Sequence, residues 1–219
     1  MVTTTLLVVR HAQTDGNLAR IFQGQIDREL SEAGKCQLEL LTNRFKTMTI
    51  HAIYTSPLPR AVKTAKAIAV AQPVPVMLDD RLMEINAGEF EGRRWDVLPQ
   101  LYPVEFALWR DDLGRFHAPG GESCAAVYDR MRCAALSIAK RHKGQIVAVV
   151  SHGCAIKNLL CWASGFALER IMDVPWVENT SISRIEIDEQ ENPHIAFIND
   201  TAHLDGIELP RPVYWEGKR

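Results

Sequence analysis

The chain has few of the features that mark a disulfide-stapled or metal-bound protein. Its 219 residues include only five cysteines, an odd number without a CxxC pair: Cys36, Cys124, Cys133, Cys154 and Cys161. This pattern argues against both a disulfide framework and a zinc site. We therefore expect free thiols that pack in the interior.

A long apolar run and a charge excess are also missing. No stretch approaches the roughly 20 apolar residues of a membrane span, and residues 1–5 lack a signal-peptide pattern. The net charge of −2 gives no electrostatic reason to expect nucleic-acid or membrane binding. We expect a cytoplasmic protein. Since no internal repeat or low-complexity linker is evident, residues 1–219 are predicted to form a single domain.

The first apolar segment ends at a pair of basic residues. Residues 6–9 are Leu and Val on both alternating faces, which is typical of a strand buried on both sides of a parallel sheet. Arg10 and His11 follow directly. Ligands of open α/β sheets bind beyond the carboxyl ends of the strands, so this position favours a functional role. The alternative is a solvated surface pair.

Two later strands are predicted to end in the same way. Residues 51–55 lead into a loop that carries Arg60, and residues 146–150 lead into His152. If these strands are parallel neighbours of the first, their carboxyl ends open on one edge of the sheet. Converging cations indicate a bound anion, and planar guanidinium groups suit phosphate.

Together these residues give the chain a recognisable set of motifs. It resembles the histidine phosphatase superfamily, also called phosphoglycerate-mutase-like, and within it the broad phosphatase branch. The motifs are Arg10-His11-Ala12 with Asn17, Ser56-Pro57-Leu58-Pro59-Arg60-Ala61, Leu82-Met83-Glu84 through Glu91-Gly92, and Ser151-His152-Gly153. Each is weak alone, but four in this order span most of the chain. The family usually has Gly at the position of Ala12, and Ala is tolerated there if its φ is negative.

The resemblance implies a catalytic set. Neutral imidazole is a nucleophile available near pH 7, and His11 is predicted to form a phosphohistidine that water then attacks. Arg10 and Arg60 are expected to hold the transferring phosphoryl group, and His152, if protonated, would add a third positive donor. Glu84 is assigned as the proton donor by the resemblance.

Several assignments stay open on the residues alone. On sequence spacing alone, Glu89 and Glu91 are alternatives to Glu84 as the proton donor. A thiolate nucleophile at Cys154, beside His152, is a less favoured alternative.

Substrate contacts are predicted in two places. Asn17, Gln23 and Gly24, on the loop after His11, are either phosphate donors or turn formers. Arg93 and Arg94 lie in an aromatic, Gly-containing insertion over residues 85–121, where no sheet strand is evident. Such an insertion suits a lid that selects the substrate.

The coarse pattern predicts an α/β fold. Helices are expected over residues 31–48, 57–68, 122–142 and 155–163, and strands over 74–78, 181–187 and 194–198. The order fits a three-layer α/β/α sandwich with a mainly parallel sheet. The resemblance implies the same fold, with an antiparallel edge strand. The Pro-rich residues 209–215 fit either a docked strap or a frayed end.

The first functional hypothesis is a metal-independent phosphatase acting on a small phosphorylated metabolite. No metal or other cofactor is expected, because two arginines supply the positive charge. A phosphoglycerate mutase is the alternative, which Arg93 and Arg94 keep open. A catalytically weak module that binds phosphorylated ligands is third. Assembly is left open, with a homodimer as one option.

Overall fold

A computed structural model describes residues 2–208. Its strands are β1 (Thr4–Arg10), β2 (Ala52–Thr55), β3 (Val76–Leu78), β4 (Ile146–Ser151), β5 (Ile182–Ile187) and β6 (Pro193–Asp200). Its α-helices are α1 (Asp15–Leu18), α2 (Glu32–Phe45), α3 (Pro59–Ala71), α4 (Leu98–Leu101), α5 (Pro103–Asp111), α6 (Cys124–Arg141) and α7 (Gly153–Ala163). Short 3₁₀ turns connect several of them. Residues 209–215, the predicted strap or frayed end, lie outside the described residues.

The six strands form one sheet in the order β3-β2-β4-β1-β5-β6. Strands β1 to β4 pair in parallel, whereas β5 is antiparallel to both of its neighbours. The reversed strand is therefore one position in from the edge and not at the edge as expected. The five-residue loop between β5 and β6 closes a hairpin, which makes these two strands antiparallel to each other.

Alternating residues of the strands bury both faces of the sheet. Leu7 and Val9 pack with the apolar residues of α2 and α3, and Leu6 and Val8 pack with those of α6 and α7. The sheet thus has a helical layer on each side, and the predicted three-layer α/β/α sandwich is confirmed. Helices that cover both faces leave the strand ends as the open edge of the sheet.

The helix after β2 begins two residues later than predicted. The predicted helix starts at Pro57, but α3 starts at Pro59 and Leu58 is the residue before it, with φ −63° and ψ 131°. A residue that precedes proline is pushed out of the helical region, which explains the late start. The Ser56 side chain is thereby left for another partner.

Residues 85–121, which the structure describes in full, contain α4, α5 and 3₁₀ turns. As expected, this segment contributes no strand to the sheet. Its aromatic rings pack against one another and against Phe22. The ring centroid of Phe22 lies 4.6 Å from that of Trp95 and 4.7 Å from that of Trp109. The insertion is thus joined to the core on the α6 and α7 side of the sheet.

Over residues 2–208, no helix is both long enough and apolar enough to cross a membrane.

Candidate active site

The carboxyl ends of β1, β4 and β2 bring the predicted site together. Arg10 is paired with Ser151 in the parallel register of β1 and β4. The next backbone N–H, that of His11, donates to the Ser151 carbonyl at 3.0 Å. On the other side of β4, Ser56 N donates to the Val150 carbonyl at 3.0 Å. The residues that follow the three strands therefore meet at one edge.

His11 is buried with a defined tautomer. Its Nδ1 lies 2.7 Å from the Ala12 carbonyl, which can only accept, so Nδ1 carries the hydrogen and Nε2 keeps its lone pair. Burial, followed by the charges of Arg60 and Arg10, lowers the pKa of His11 well below 6.5. The ring is therefore neutral at pH 7, the state that a nucleophile needs.

His152 lies next to His11, with 5.1 Å between the ring centroids. Its Nε2 is 2.8 Å from Oγ of Ser56. Burial first, and then Arg60 and His11, lower the pKa of His152 well below 6.5. The sequence left open whether His152 is protonated, and in the structure the loss of water and the surrounding cations oppose a third charge in the site.

The two arginines are held by backbone carbonyls. Arg60, in the first turn of α3, is 1% exposed, and it donates to the carbonyls of Gly24 at 2.6 Å and Ile26 at 2.8 Å. Nη1 of Arg10 donates to the Val177 carbonyl at 2.6 Å. Burial lowers the pKa of Arg60, which the charges of Glu84 and Asp27 oppose. Both guanidinium groups thus have fixed orientations.

The Glu84 carboxylate lies at the N-terminus of α7. Oε1 accepts from the backbone N–H groups of Ile85 at 2.9 Å and Ala155 at 3.0 Å, and Oε2 accepts from that of Cys154 at 3.1 Å. The free N–H groups and the dipole at a helix start hold a carboxylate well. Because α7 begins directly after His152, this contact brings Glu84 to the same edge of the sheet.

The rival carboxylates are engaged elsewhere. Oε2 of Glu89 accepts from the Tyr102 hydroxyl at 2.8 Å on the surface of the insertion. Oε1 of Glu91 accepts from the backbone N–H groups of Gln25 at 2.8 Å and Ala87 at 3.0 Å. Of the three carboxylates, Glu84 is the one whose charge raises the pKa of Arg60.

The three residues predicted on the loop after His11 have structural contacts. Asn17 and Thr14 form a capping box at the start of α1. Oε1 of Gln23 lies 2.9 Å from the Thr14 hydroxyl. Gly24 has a φ of +53°, and a Cβ there would meet the Glu91 carboxylate. These contacts fit the turn-former interpretation, and they also build the loop that orients Arg60.

Arg93 and Arg94 lie on the outside of the insertion. Nε of Arg93 donates to the Glu89 carbonyl at 2.7 Å, and its guanidinium lies over the Tyr102 ring. Arg94 forms an exposed ion pair with Asp96 at 2.7 Å. The structure does not place these two side chains with the five predicted catalytic residues, which are Arg10, His11, Arg60, Glu84 and His152.

Other side chains support the site and were missed in the sequence. Oγ1 of Thr64 accepts from Ala12 N at 3.0 Å and donates to the Arg60 carbonyl at 2.8 Å, joining the nucleophile loop to α3. Nδ2 of Asn179 donates to the His11 carbonyl at 2.9 Å. Ala12 is buried and is not among the non-glycine residues of positive φ in the described chain. The methyl group is therefore accommodated without backbone strain.

The structure argues against a cysteine nucleophile. Cys154 is buried beside Cys124, and the hydrogen bond with that thiol, together with burial, raises the pKa of Cys154 well above its usual value. A thiol in this state holds its proton at neutral pH and is a poor nucleophile. All five cysteines are free.

Comparison with known proteins places the chain in a family. The family model for the histidine phosphatase superfamily, branch 1, matches residues 6–201. Phosphoserine phosphatase 1 of Hydrogenobacter thermophilus is 35% identical over 199 residues, covering 91% of this chain and 93% of the relative. A probable phosphoglycerate mutase, GpmB, of Yersinia enterocolitica is 37% identical over 214 residues, covering 91% of this chain and 94% of the relative.

A solved structure supports the same conclusion. YhfR of Bacillus stearothermophilus superposes with a TM-score of 0.88 at 32% identity, covering 92% of this chain and all of that one. The motif residues, the fold and the relatives agree. The chain belongs to the histidine phosphatase superfamily, branch 1, and is a phosphomonoesterase of that family.

Proposed function

We propose that this protein hydrolyses small phosphate monoesters through a phosphohistidine on His11, without a metal ion. The observation that carries the proposal is the state of the His11 ring. It is neutral, its Nδ1–H is held by the Ala12 carbonyl, and two buried arginines lie close enough to lower its pKa. An uncharged nucleophile near two fixed cations is suited to attack on a phosphate dianion.

The proposed reaction has two steps. His11 Nε2 attacks phosphorus, the bond from phosphorus to the ester oxygen breaks, and that oxygen takes the proton of the Glu84 carboxyl, in its protonated form, as the alcohol leaves. Water then attacks the phosphohistidine and gives its proton to the Glu84 carboxylate. The P–N bond breaks, and phosphate and neutral His11 are released. Arg10 and Arg60 counter the charge on the equatorial oxygens in both steps.

His152 would donate to the phosphoryl group as a neutral imidazole. Its Nδ1 is buried and has no hydrogen-bond partner among residues 2–208, whereas Nε2 is occupied by Ser56. A buried ring nitrogen without a partner is costly unless a ligand supplies one. A bound phosphoryl oxygen would satisfy Nδ1.

The residues present favour chemistry without a metal. In the described chain, no three His, Cys, Asp or Glu side chains are grouped so as to hold a metal ion. Two arginines supply positive potential to an anion instead.

The substrate class is proposed from chemistry and from the relatives. A small phosphorylated metabolite fits a site where the phosphoryl group is held by buried residues. Phosphoserine is the first candidate, since a relative that is 35% identical over most of both chains is a phosphoserine phosphatase.

The test is turnover of a panel of phosphate esters with a chelator present, followed by trapping of the phosphoenzyme. We expect hydrolysis of phosphoserine and 4-nitrophenyl phosphate with EDTA, and an acid-labile phosphoryl group on the His11 peptide. His11→Asn should lose both the turnover and the label. Loss of activity with EDTA, or full turnover by His11→Asn, would contradict the proposal.

A mutase is the second candidate, because a relative that is 37% identical carries that name. The same panel separates the two activities. A mutase converts 3-phosphoglycerate to 2-phosphoglycerate when primed with 2,3-bisphosphoglycerate and releases little phosphate. We expect phosphate release to dominate, since Arg93 and Arg94 are engaged within the insertion and do not supply a second anion site.

A further inference from the structure

The backbone that carries Glu84 has no regular secondary structure, and side chains from elsewhere hold it. Residues 83–87 lie between two 3₁₀ turns and belong to no helix or strand. Backbone carbonyls in such a segment must find other donors. Four consecutive carbonyls, two at the end of the preceding 3₁₀ turn and two in this segment, have side-chain donors. Those of Arg81 and Met83 accept from Arg130, that of Leu82 accepts from Ser151, and that of Glu84 accepts from Gln25.

Arg130 of α6 holds the segment before Glu84. Its Nη1 donates to the carbonyl of Arg81 at 2.8 Å and to that of Met83 at 2.6 Å. The remaining edge of the guanidinium forms a two-point contact with the Glu122 carboxylate, at 2.7 Å from Nε and 3.0 Å from Nη2. One planar group therefore joins a carboxylate to two carbonyls, which a lysine ammonium cannot reproduce.

Glu122 holds the segment after Glu84. Its backbone N–H donates to the Asn86 carbonyl at 2.8 Å, and its Oε2 accepts from Asn86 N at 3.2 Å. The side chains of Arg130 and Glu122 are 17% and 19% exposed, so their pairing is largely shielded from water. Arg130 and Glu122 together hold the backbone before and after Glu84 through hydrogen bonds.

We infer that the Arg130–Glu122 pair positions Glu84 for proton transfer. This inference rests on the proposed function, in which Glu84 is the general acid. The start of α7 holds the carboxylate, and the pair holds the backbone from the side of α6. The two anchors together fix where the carboxyl oxygen stands relative to a departing ester oxygen. A misplaced acid loses proton transfer, although phosphate binding by Arg10 and Arg60 is unaffected.

The test compares leaving groups. The value of kcat/KM is measured for phosphoserine, an alkyl ester whose alkoxide needs a proton to leave, and for 4-nitrophenyl phosphate, whose phenolate leaves without one. For Arg130→Lys and Glu122→Gln we expect a loss of about 100-fold on phosphoserine and less than about threefold on 4-nitrophenyl phosphate. Arg130→Lys should show the larger loss, because it removes both carbonyl contacts.

Two further variants calibrate the result. Glu84→Gln removes the acid itself and should show the same preference more strongly. Arg110→Met removes an exposed two-point contact with Asp111, 2.6 and 2.8 Å long, that touches no site residue, and it should change neither rate. Thermal unfolding of each variant reports whether it is folded.

The outcomes separate the inference from the function. Equal losses on both esters in the Arg130 and Glu122 variants, or no loss on either, overturn the positioning role while the leaving-group dependence of Glu84→Gln leaves the proposed function standing. If Glu84→Gln itself loses both activities equally, the acid role of Glu84 fails and the inference fails with it. If Arg130→Lys does not fold, the milder Glu122→Gln decides.

Discussion

The hydroxyl oxygen of Ser56 lies 2.8 Å from Nε2 of His152, with both side chains fully buried. Ser56 Oγ also accepts from Leu58 N at 3.2 Å, so its own hydrogen is left for the imidazole. Because His152 is neutral, accepting that hydrogen at Nε2 leaves the ring proton on Nδ1. The serine thus selects the tautomer whose Nδ1–H can donate to a phosphoryl oxygen.

Ser56→Ala should therefore reduce catalysis without unfolding the protein. Removing one hydrogen bond that sets a tautomer is expected to lower kcat/KM about tenfold. The ring ¹⁵N shifts of His152 should change from an Nδ1–H tautomer to a mixture. A variant with wild-type shifts and wild-type kcat/KM would show that another group sets the tautomer.

Acid should destabilise the protein through its two buried imidazoles. The pKa values of His11 and His152 are well below 6.5 in the folded state, so between those values and 6.5 the unfolded chain binds more protons. Stability is then complete above pH 6.5 and falls as the pH drops below it, by up to about 1.4 kcal/mol per pH unit for each group. Urea unfolding from pH 4.5 to 7.5 measures this slope.

The control for this acid effect is the double variant His11→Asn and His152→Asn, which lacks both titrating rings. Its free energy of unfolding should vary less over the same pH range. An equal slope in wild type and variant would assign the acid sensitivity to other groups.

The layers of the fold and the convergence of the basic residues could be predicted because each has a local signal. Residues 6–9 are apolar on both faces, and the basic residues directly follow strand ends or open the next helix. The position of the reversed strand had no such signal, since it depends on which edges pair.

The supporting contacts could not be read from the sequence. Ser56 is 96 residues from His152, and Arg130 is 47 residues from Met83, the nearer of the two residues whose carbonyls it holds. In the sequence, Arg130 has the pattern of a surface arginine on a helix. Its role depends on the irregular segment at residues 83–87, whose contact with α6 has no sequence signal. The charge of His152 could not be predicted for a related reason, because burial and the nearby arginines are properties of the assembled site.

Replacement of Cys154 should leave catalysis almost unchanged. Its contribution to the site is a backbone N–H to the Glu84 carboxylate, which any residue except proline retains. Cys154→Ala should keep kcat within about twofold and lower the free energy of unfolding by about 1 kcal/mol for the lost buried sulfur. Iodoacetamide at pH 7.5 should label the exposed Cys133 and spare Cys154. Inactivation by alkylation at Cys154 would instead support a thiolate nucleophile at this residue.

Lys157 should make the free energy of unfolding depend on pH in the alkaline range. It is 2% exposed on α7, its ammonium donates to the Val174 carbonyl, and the amine lies 5.0 Å from the centroid of the Trp176 ring. Burial lowers the pKa of Lys157 to about 8 from 10.5. Between these values the unfolded chain binds more protons, so this residue adds stability as the pH rises from 8 to 10.5, by up to about 3 kcal/mol.

The matched comparison is Lys157→Met, which keeps the length and removes the titrating amine. The difference in unfolding free energy, wild type minus variant, should increase across that pH window and level off above it. The loop that accepts Lys157 also carries Val177, whose carbonyl holds Arg10, so the variant should further show weaker phosphate binding. If the difference is independent of pH, burial does not lower the pKa of Lys157 in the folded protein.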